Sequence, residues 1–239
     1  MMAGPFHPTA HLYDRVYGHL DYPGHAATIE SIIRERTPAA ASVLDVACGT
    51  GKHLEIWCDR FDRVEGLDVD PAMVDIARRR VPDVAVHEGD FTSFDLGKTF
   101  DAVTCLFSSI GYAHTLERLD AAIAAMARHL APGGVLVVEP WLTPDKIRPP
   151  WVRVLVAEAD DCVMARTSRI QYDAESGISD MEFTYVVTSI EGSETFTERH
   201  VMGVRAPERH IEAAERAGLT AVFDPVGTYL ERGLLIGTM

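Results

Sequence analysis

Ser42 to Gly51, reading Ser-Val-Leu-Asp-Val-Ala-Cys-Gly-Thr-Gly, constrains this chain more than any other stretch. Val43 to Val46 read as a buried strand, the glycines pace a turn, and a helix begins near Thr50. That order leaves bare backbone at the carboxyl end of a strand, where open α/β sheets bind their ligands. Asp45, inside the strand, narrows the choice of ligand. A diphosphate seated on the turn would meet its carboxylate at close range, whereas a cation is drawn to it. His53 and Leu54 follow Gly51, so the third glycine of a dinucleotide-binding turn is missing as well.

From Ser42 onward apolar strand patterns alternate with helical stripes, which predicts a parallel sheet covered by helices on both faces. Strands are expected at Arg63 to Leu67, Val84 to Glu88, Phe100 to Leu106 and Val135 to Glu139. The helix after the glycine turn carries Leu54, Cys58 and Phe61 on one stripe. Asp70-Pro71 caps the next, with Met73, Val74 and Ala77 facing inward. Leu119, Ile123, Met126 and Leu130 mark a third, which stops at Ala131-Pro132-Gly133-Gly134. Past Trp141 the rhythm changes to consecutive strands, Val152 to Val156, Cys162 to Tyr172, Met181 to Ser189 and Glu194 to Met202. These predict an inserted antiparallel layer. A helix from Pro207 to Ala217 and strands at Leu219 to Phe223 and Leu234 to Gly237 then return to the main sheet. Before all this, Thr9 to Gly18 form a helix whose Tyr13 and Tyr17, four apart, share one face and are candidate lid residues. Pro23-Gly24 breaks the chain before a second helix bearing Ile29, Ile32 and Ile33. The expected division is an N-terminal helical lid, 1–40; a core, 41–142 and 206–239; and an inserted layer, 143–205.

Asp45, Asp68 and Asp90 end successive strands, so the sheet gathers three acids around one ligand. Asp68 lies about 20 residues past the glycine turn, where an acid accepts hydrogen bonds from a ribose diol. Asp90 is placed to receive an adenine amino group while the ring packs on Phe91. An adenosine joined to a cation is S-adenosylmethionine, whose sulfonium and amino group suit Asp45 better than NAD does.

A net charge of −14 over 239 residues argues against sequence-independent nucleic-acid binding. Cys48, Cys58, Cys105 and Cys162 show no paired spacing, which suits a reducing cytoplasm. No segment reads as a membrane span. His7 and His11 have the helical spacing of metal ligands, but Pro8 lies between them and no third ligand is near, so no metal is expected. No Gly-x-Ser-x-Gly elbow precedes a helix.

The pattern Asp45-x-Ala47-x-Gly49-x-Gly51 is similar to the cofactor motif of class I S-adenosylmethionine-dependent methyltransferases, with Ala47 in place of the usual first glycine. Leu44 to Gly51, Thr104 to Gly111 and Leu130 to Trp141 resemble the N,N-dimethyltransferases that act on nucleotide-linked 3-amino-deoxysugars of the desosamine type. This resemblance implies a Rossmann-like α/β fold and methylation of the amine of a TDP-linked amino-deoxysugar. It assigns Tyr13, Asp45, Ala47, Gly49, Gly51, Asp68, Asp90, Phe91 and Leu106 to the cofactor. To the substrate it assigns Tyr17, Tyr22, Trp141, Trp151, Arg166, Ser168, Arg169 and Arg232. Tyr112, Tyr17 and Glu139 are the candidates for orienting the amine or relaying its proton, and a homodimer is implied.

On the cofactor side, Asp68 stands where relatives more often have Glu and Phe91 where they have Met; further departures touch the acceptor side. The link from Tyr17 to Tyr22 is about two residues shorter than in relatives and lacks their basic residues. Thr228-Tyr229-Leu230-Glu231 replaces a Gly-Pro-Ser, Trp141-Leu142 a Trp-Trp pair, and Tyr112 stands where some relatives have His. Methylation of a sugar hydroxyl or of another small amine is the alternative within the class. A hydroxyl would call for a firmer base, and no well-placed His is evident. An NAD-dependent oxidoreductase is disfavoured by Asp45 and the missing glycine.

Overall fold

A computed structural model describes residues 10–148, 151–158, 161–228 and 230–239. Eleven strands among these form two sheets. The first has β1 (Ser42–Val46), β2 (Arg63–Asp68), β3 (Ala85–Glu88), β4 (Phe100–Cys105), β5 (Leu130–Val138), β10 (Thr220–Asp224) and β11 (Leu234–Thr238). Their spatial order is β10-β11-β5-β4-β1-β2-β3, with β11 antiparallel to both its neighbours and the other pairs parallel. The order reverses at β1, between β2 and β4, so a crevice opens beyond the carboxyl end of β1.

Every residue of β1 is buried, as a strand covered on both faces requires. One covering layer includes α5 (Leu116–Arg128), which turns Leu119, Ile123 and Met126 inward, and α6 (Pro207–Arg216). The other includes α2 (Tyr22–Arg36), α3 (Lys52–Trp57) and α4 (Pro71–Arg80). Helix α4 starts as its Asp70-Pro71 signal requires, the Asp70 carboxylate accepting from the Ala72 N–H at 3.0 Å. Helix α3 ends at Trp57, earlier than its apolar spacing suggests. Trp57 therefore turns into the core beside Phe61, and Cys58, expected inside, is exposed.

Between β5 and α6 lies the second sheet, β6 (Trp151–Glu158), β7 (Cys162–Asp173), β8 (Ile178–Ser189) and β9 (Gly192–Gly203), antiparallel throughout. Alternation gives it one packed face, with Met164, Ile170, Met181, Phe183, Tyr185 and Met202 buried. The N-terminal segment packs on this face through Leu12 and Val16. Each contributes about 1.5–3 kcal/mol on full burial.

That segment is a 3-10 turn, Ala10–Leu12, followed by the short helix α1 (Tyr13–Val16), rather than the longer helix expected. Tyr13 and Tyr17 still meet on one face, ring centroids 4.6 Å apart. Pro23-Gly24 does not break the chain. Asp21 caps α2 by accepting from the Gly24 N–H at 2.9 Å, and Pro23 sits in the first turn, where its missing N–H costs nothing. His7, of the weighed metal pair, and Tyr229 lie outside the described residues; His11 meets the edge of Phe196.

Candidate active site

The glycine turn leaves β1 through left-handed backbone at Ala47, Gly49 and Gly51, with φ of 58°, 56° and 80°. Only Gly and, less readily, Asn or Asp adopt this conformation at low cost, so Ala47 holds strain at the crevice. The glycines divide their duties. A Cβ on Gly49 would meet nothing, leaving open space where a ligand can touch backbone. One on Gly51 would sit 3.1 Å from the Ala77 Cβ, so Gly51 is small because α4 passes there. Expected beside the cofactor, Gly51 lines neither of the cavities that Gly49 lines.

One cavity, about 170 Å³, is bounded by Tyr13, Ala47, Gly49, Asp68, Asp90 and Phe91, with Met73, Ser109, Tyr112 and Arg118 among the rest. The Asp68 carboxylate accepts from the N–H of Gly49 at 2.8 Å and of Asp70 at 2.9 Å, which locks the turn to the end of β2. Burial pushes its carboxyl up to about 6 against those hydrogen bonds. Asp90 is more open. Its Oδ1 accepts from the Thr92 N–H and hydroxyl, both at 2.8 Å, and Oδ2 pairs with Arg118 at 3.3 Å, an ion pair that no strand-end pattern announced. Burial raises the Asp90 carboxyl, but the Thr92 and Arg118 contacts outweigh it and hold the group below its ordinary value.

An adjoining cleft is lined by Tyr22, Asp45, Ala47, Leu106 and Phe107. Asp45 is 2% exposed and accepts from the Thr104 hydroxyl at 2.7 Å. Burial raises its carboxyl to about 7, Thr104 opposes this, and the nearby Asp68 charge adds to it. Tyr22, expected at the substrate, lies on this cofactor side, packed against Phe107 and His53, because its place at the start of α2 fixes it there.

A third and larger cavity, about 480 Å³, opens between this crevice and the packed face of the second sheet. Tyr17, Trp141, Trp151, Arg166, Ser168 and Arg232 all line it, as expected. Arg166 donates to the Tyr17 hydroxyl at 2.9 Å and lies 4.7 Å from the Phe183 ring centroid. Arg232 donates to the Ser108 hydroxyl at 2.7 Å and covers the Trp141 ring at 5.0 Å. Arg153, unnoticed in the sequence, joins them above Trp151. Tyr13, Ser109 and Tyr112 border both this cavity and the one at Asp68.

Two expected residues lie elsewhere. Arg169 is exposed on the other face of β7, paired with Glu182 at 3.6 Å, because strand alternation separates it from Arg166. Glu139 is fully buried and lines none of these cavities. Its carboxylate accepts from the Phe107 N–H at 2.9 Å and the Thr228 hydroxyl at 2.5 Å, and meets His25 Nε2 at 3.4 Å. It is a brace for the loop after β4, where Phe107 and Ser108 have φ of 49° and 68°. Burial raises the Glu139 carboxyl, but His25, Thr228 and Arg232 hold it below its ordinary value overall.

His200 was missed. It lines the large cavity, its Nδ1 is 2.8 Å from the Tyr112 hydroxyl, and its Nε2 is 3.4 Å from Glu198. The signal was the alternation Glu198, His200, Met202 in β9, which puts all three on the packed face. Burial raises the Tyr112 hydroxyl well above its ordinary value. Asp14, also unnoticed, ties α1 to the glycine turn. It pairs with Arg80 and accepts from the Thr50 hydroxyl at 2.7 Å.

A crevice at the strand-order reversal, an open left-handed turn and two buried carboxyls, both raised by burial, are the features of a class I methyltransferase. The model of the methyltransferase domain matches residues 43–134. The chain is 39% identical to dTDP-4-amino-2,3,4,6-tetradeoxy-D-glucose N,N-dimethyltransferase of Saccharopolyspora spinosa, over 95% of this chain and 91% of that one. It is 41% identical to dTDP-3-amino-3,6-dideoxy-alpha-D-glucopyranose N,N-dimethyltransferase of Streptomyces fradiae, over 95% and 89%. The solved structure of S-adenosylmethionine-bound CalS10, an amino pentose methyltransferase from Micromonospora echinaspora, matches with a TM-score of 0.86 and 38% identity, over 95% and 96%. The chain belongs to the S-adenosylmethionine-dependent amino-sugar N-methyltransferases. Its residues fit that cofactor: Gly49 leaves space for it, and Asp45 and Asp68, their carboxyls raised by burial, gain from a cationic ligand.

Proposed function

We propose that this enzyme methylates, once or twice, the amine of a TDP-linked amino-deoxysugar in antibiotic sugar biosynthesis. The observation that carries this reading is the large cavity, which joins the Asp68 crevice at Tyr13, Ser109 and Tyr112 and is also lined by Arg166, Arg232 and Arg153. A sugar diphosphate needs such cations, and a hexose needs flat walls such as Trp141 and Trp151. The relatives named for such substrates support it.

S-adenosylmethionine, when bound, supplies a methyl group on sulfonium that a neutral amine displaces in line. Asp68 accepts from the ribose hydroxyls, Asp90 and Phe91 hold the adenine, and Asp45 faces the cationic end. Ala47, Gly49 and Leu106 shape the wall. Tyr13 and Tyr17 close the junction against water, and Tyr112 orients the amine there. Orientation of two bound reactants can account for much of the acceleration.

The N-terminal segment Ala10–Val16 and the second sheet form the acceptor side, whereas α2, expected in the lid, covers the main sheet. The outer face of the inserted sheet exposes Val152, Val154, Val156, Val163 and Val186, which suits burial against a second copy. Sedimentation is expected to give a homodimer; a monomer at micromolar concentration refutes that. Among the described residues no helix is long and apolar enough to cross a membrane, and the four cysteines are free, which suits work in the cytoplasm.

Incubation with S-adenosylmethionine and a panel of TDP-3-amino and TDP-4-amino sugars, read by mass spectrometry, tests the reading. Gains of one or two methyl groups are expected. No methylated product from any of them, with the cofactor bound, refutes it.

A further inference from the structure

His200 and Glu198 are out of place unless something requires them. Both are 1% exposed at the side chain, on a sheet face that also buries Met164, Met181, Phe183 and Met202. Burying such groups costs free energy that an apolar pair would avoid. They stand in line behind Tyr112, which borders the cofactor crevice on one side and the acceptor cavity on the other. With the Nε2 hydrogen directed at Glu198, Nδ1 is the acceptor for the Tyr112 O–H.

We propose that Tyr112, His200 and Glu198 form a proton relay that strips the methylated nitrogen and so readies it for a second transfer. The inference rests on the amino-sugar reading above. When the N–C bond forms and the methyl–sulfur bond breaks, its electron pair staying on sulfur, the nitrogen becomes positively charged. One of its protons passes to Tyr112 Oη while the Tyr112 O–H proton passes to His200 Nδ1. The nitrogen is left neutral with its lone pair restored, tyrosine remains a neutral phenol, and the new imidazolium is balanced by Glu198. Tyr112 alone cannot do this, since burial disfavours its phenolate and a neutral phenol has nowhere to send the proton. The proton left by the first transfer must go before a second can occur, so dimethylation leans on the relay more than the first methylation does. Tyr112 is the catalytic residue, and His200 and Glu198 act through it. The other titratable or charged groups about this cluster include Tyr13, Tyr17, Asp68, Tyr185 and Arg166.

The test compares wild type with His200→Asn, whose amide oxygen can accept the Tyr112 hydrogen bond but cannot take the proton, and with Tyr112→Phe and Glu198→Gln. For His200→Asn, kcat is expected to fall about tenfold or more with both KM values within about twofold. Monomethyl product should accumulate, rising pH should restore part of the rate, and added imidazole should restore part of it at fixed pH. In the ligand-free protein, the His200 imidazole nitrogen resonances should lose the Nε2 hydrogen-bond shift in Glu198→Gln and the Nδ1 hydrogen-bond shift in Tyr112→Phe. Unchanged kcat and mono-to-dimethyl ratio in His200→Asn overturn the relay, as does a loss of kcat that tracks a fall in Tm and a rise in KM. A wild type that methylates no amino sugar defeats the substrate reading instead, and the imidazole nitrogen shifts still report on the relay's wiring.

Discussion

Asp45→Asn separates the two demands on the glycine turn, stability and attraction for a cation. The Asp45 carboxyl, ordinarily at 3.8, is raised to about 7 by burial and by the Asp68 charge, with the Thr104 hydrogen bond opposing. The folded protein therefore keeps this proton at pH values where the unfolded chain has lost it. Stability falls as pH rises from about 4 to about 7 and is level in this respect above that. The displacement corresponds to an upper bound on the order of 4 kcal/mol against the ionised form. Asparagine keeps the shape and an oxygen for Thr104 and never ionises. Melting of the ligand-free proteins should give similar Tm values near pH 4 and a variant several degrees more stable at pH 8, at roughly 2–4 °C per kcal/mol for a chain of this size. The same substitution should weaken S-adenosylmethionine binding about tenfold or more, ~1.4 kcal/mol, by calorimetry. Wild-type affinity should rise between pH 5 and 7, with proton release on binding. A Tm difference that stays constant from pH 5 to 8, together with unchanged affinity, refutes the account of Asp45.

Ala47→Gly should stabilise the fold by up to about 1 kcal/mol by relieving left-handed strain, read as a higher urea midpoint; a lower midpoint counts against strain at this turn. Glu139→Ala leaves the Phe107 N–H, His25 and Thr228 without their acceptor, so it should destabilise by about 3 kcal/mol or more, whereas a role in chemistry alone would lower kcat at constant Tm. Arg166→Ala should raise the KM for the nucleotide-sugar at least tenfold and Arg169→Ala should leave it unchanged; equal effects would mean that β7 presents both to the ligand. Asp68→Asn should weaken cofactor binding by about 1.5–3 kcal/mol through a charged hydrogen bond to the ribose, and unchanged affinity would remove that role.

Much of the fold was legible because it rests on local rules. β1 is apolar throughout because both its faces are covered, and Asp70-Pro71 starts α4 through one side-chain bond and one ring. The errors arose where tertiary contacts overrode spacing. Pro23-Gly24 looks like a break until Asp21 caps them into α2, and Cys58 reads as inward until Trp57 ends α3. In the site, the acids expected at strand ends, Asp45, Asp68 and Asp90, do line the crevice. Glu139 was misjudged because it too ends a strand, and nothing local distinguishes an acid facing a cavity from one bracing a loop.

By itself the sequence determined the strand-turn-helix at Ser42 to Gly51 and the acids at the ends of β1, β2 and after β3, because those features depend on neighbours in the chain and on sheet order. The tertiary structure alone decided what faces the acceptor. It gave Gly51 to Ala77 and Glu139 to Phe107, turned Arg169 away, and brought His200 from β9 to Tyr112, 88 residues distant. Strand register and the packing of one sheet over the mouth of another set those meetings, and neither is written in any short run of residues.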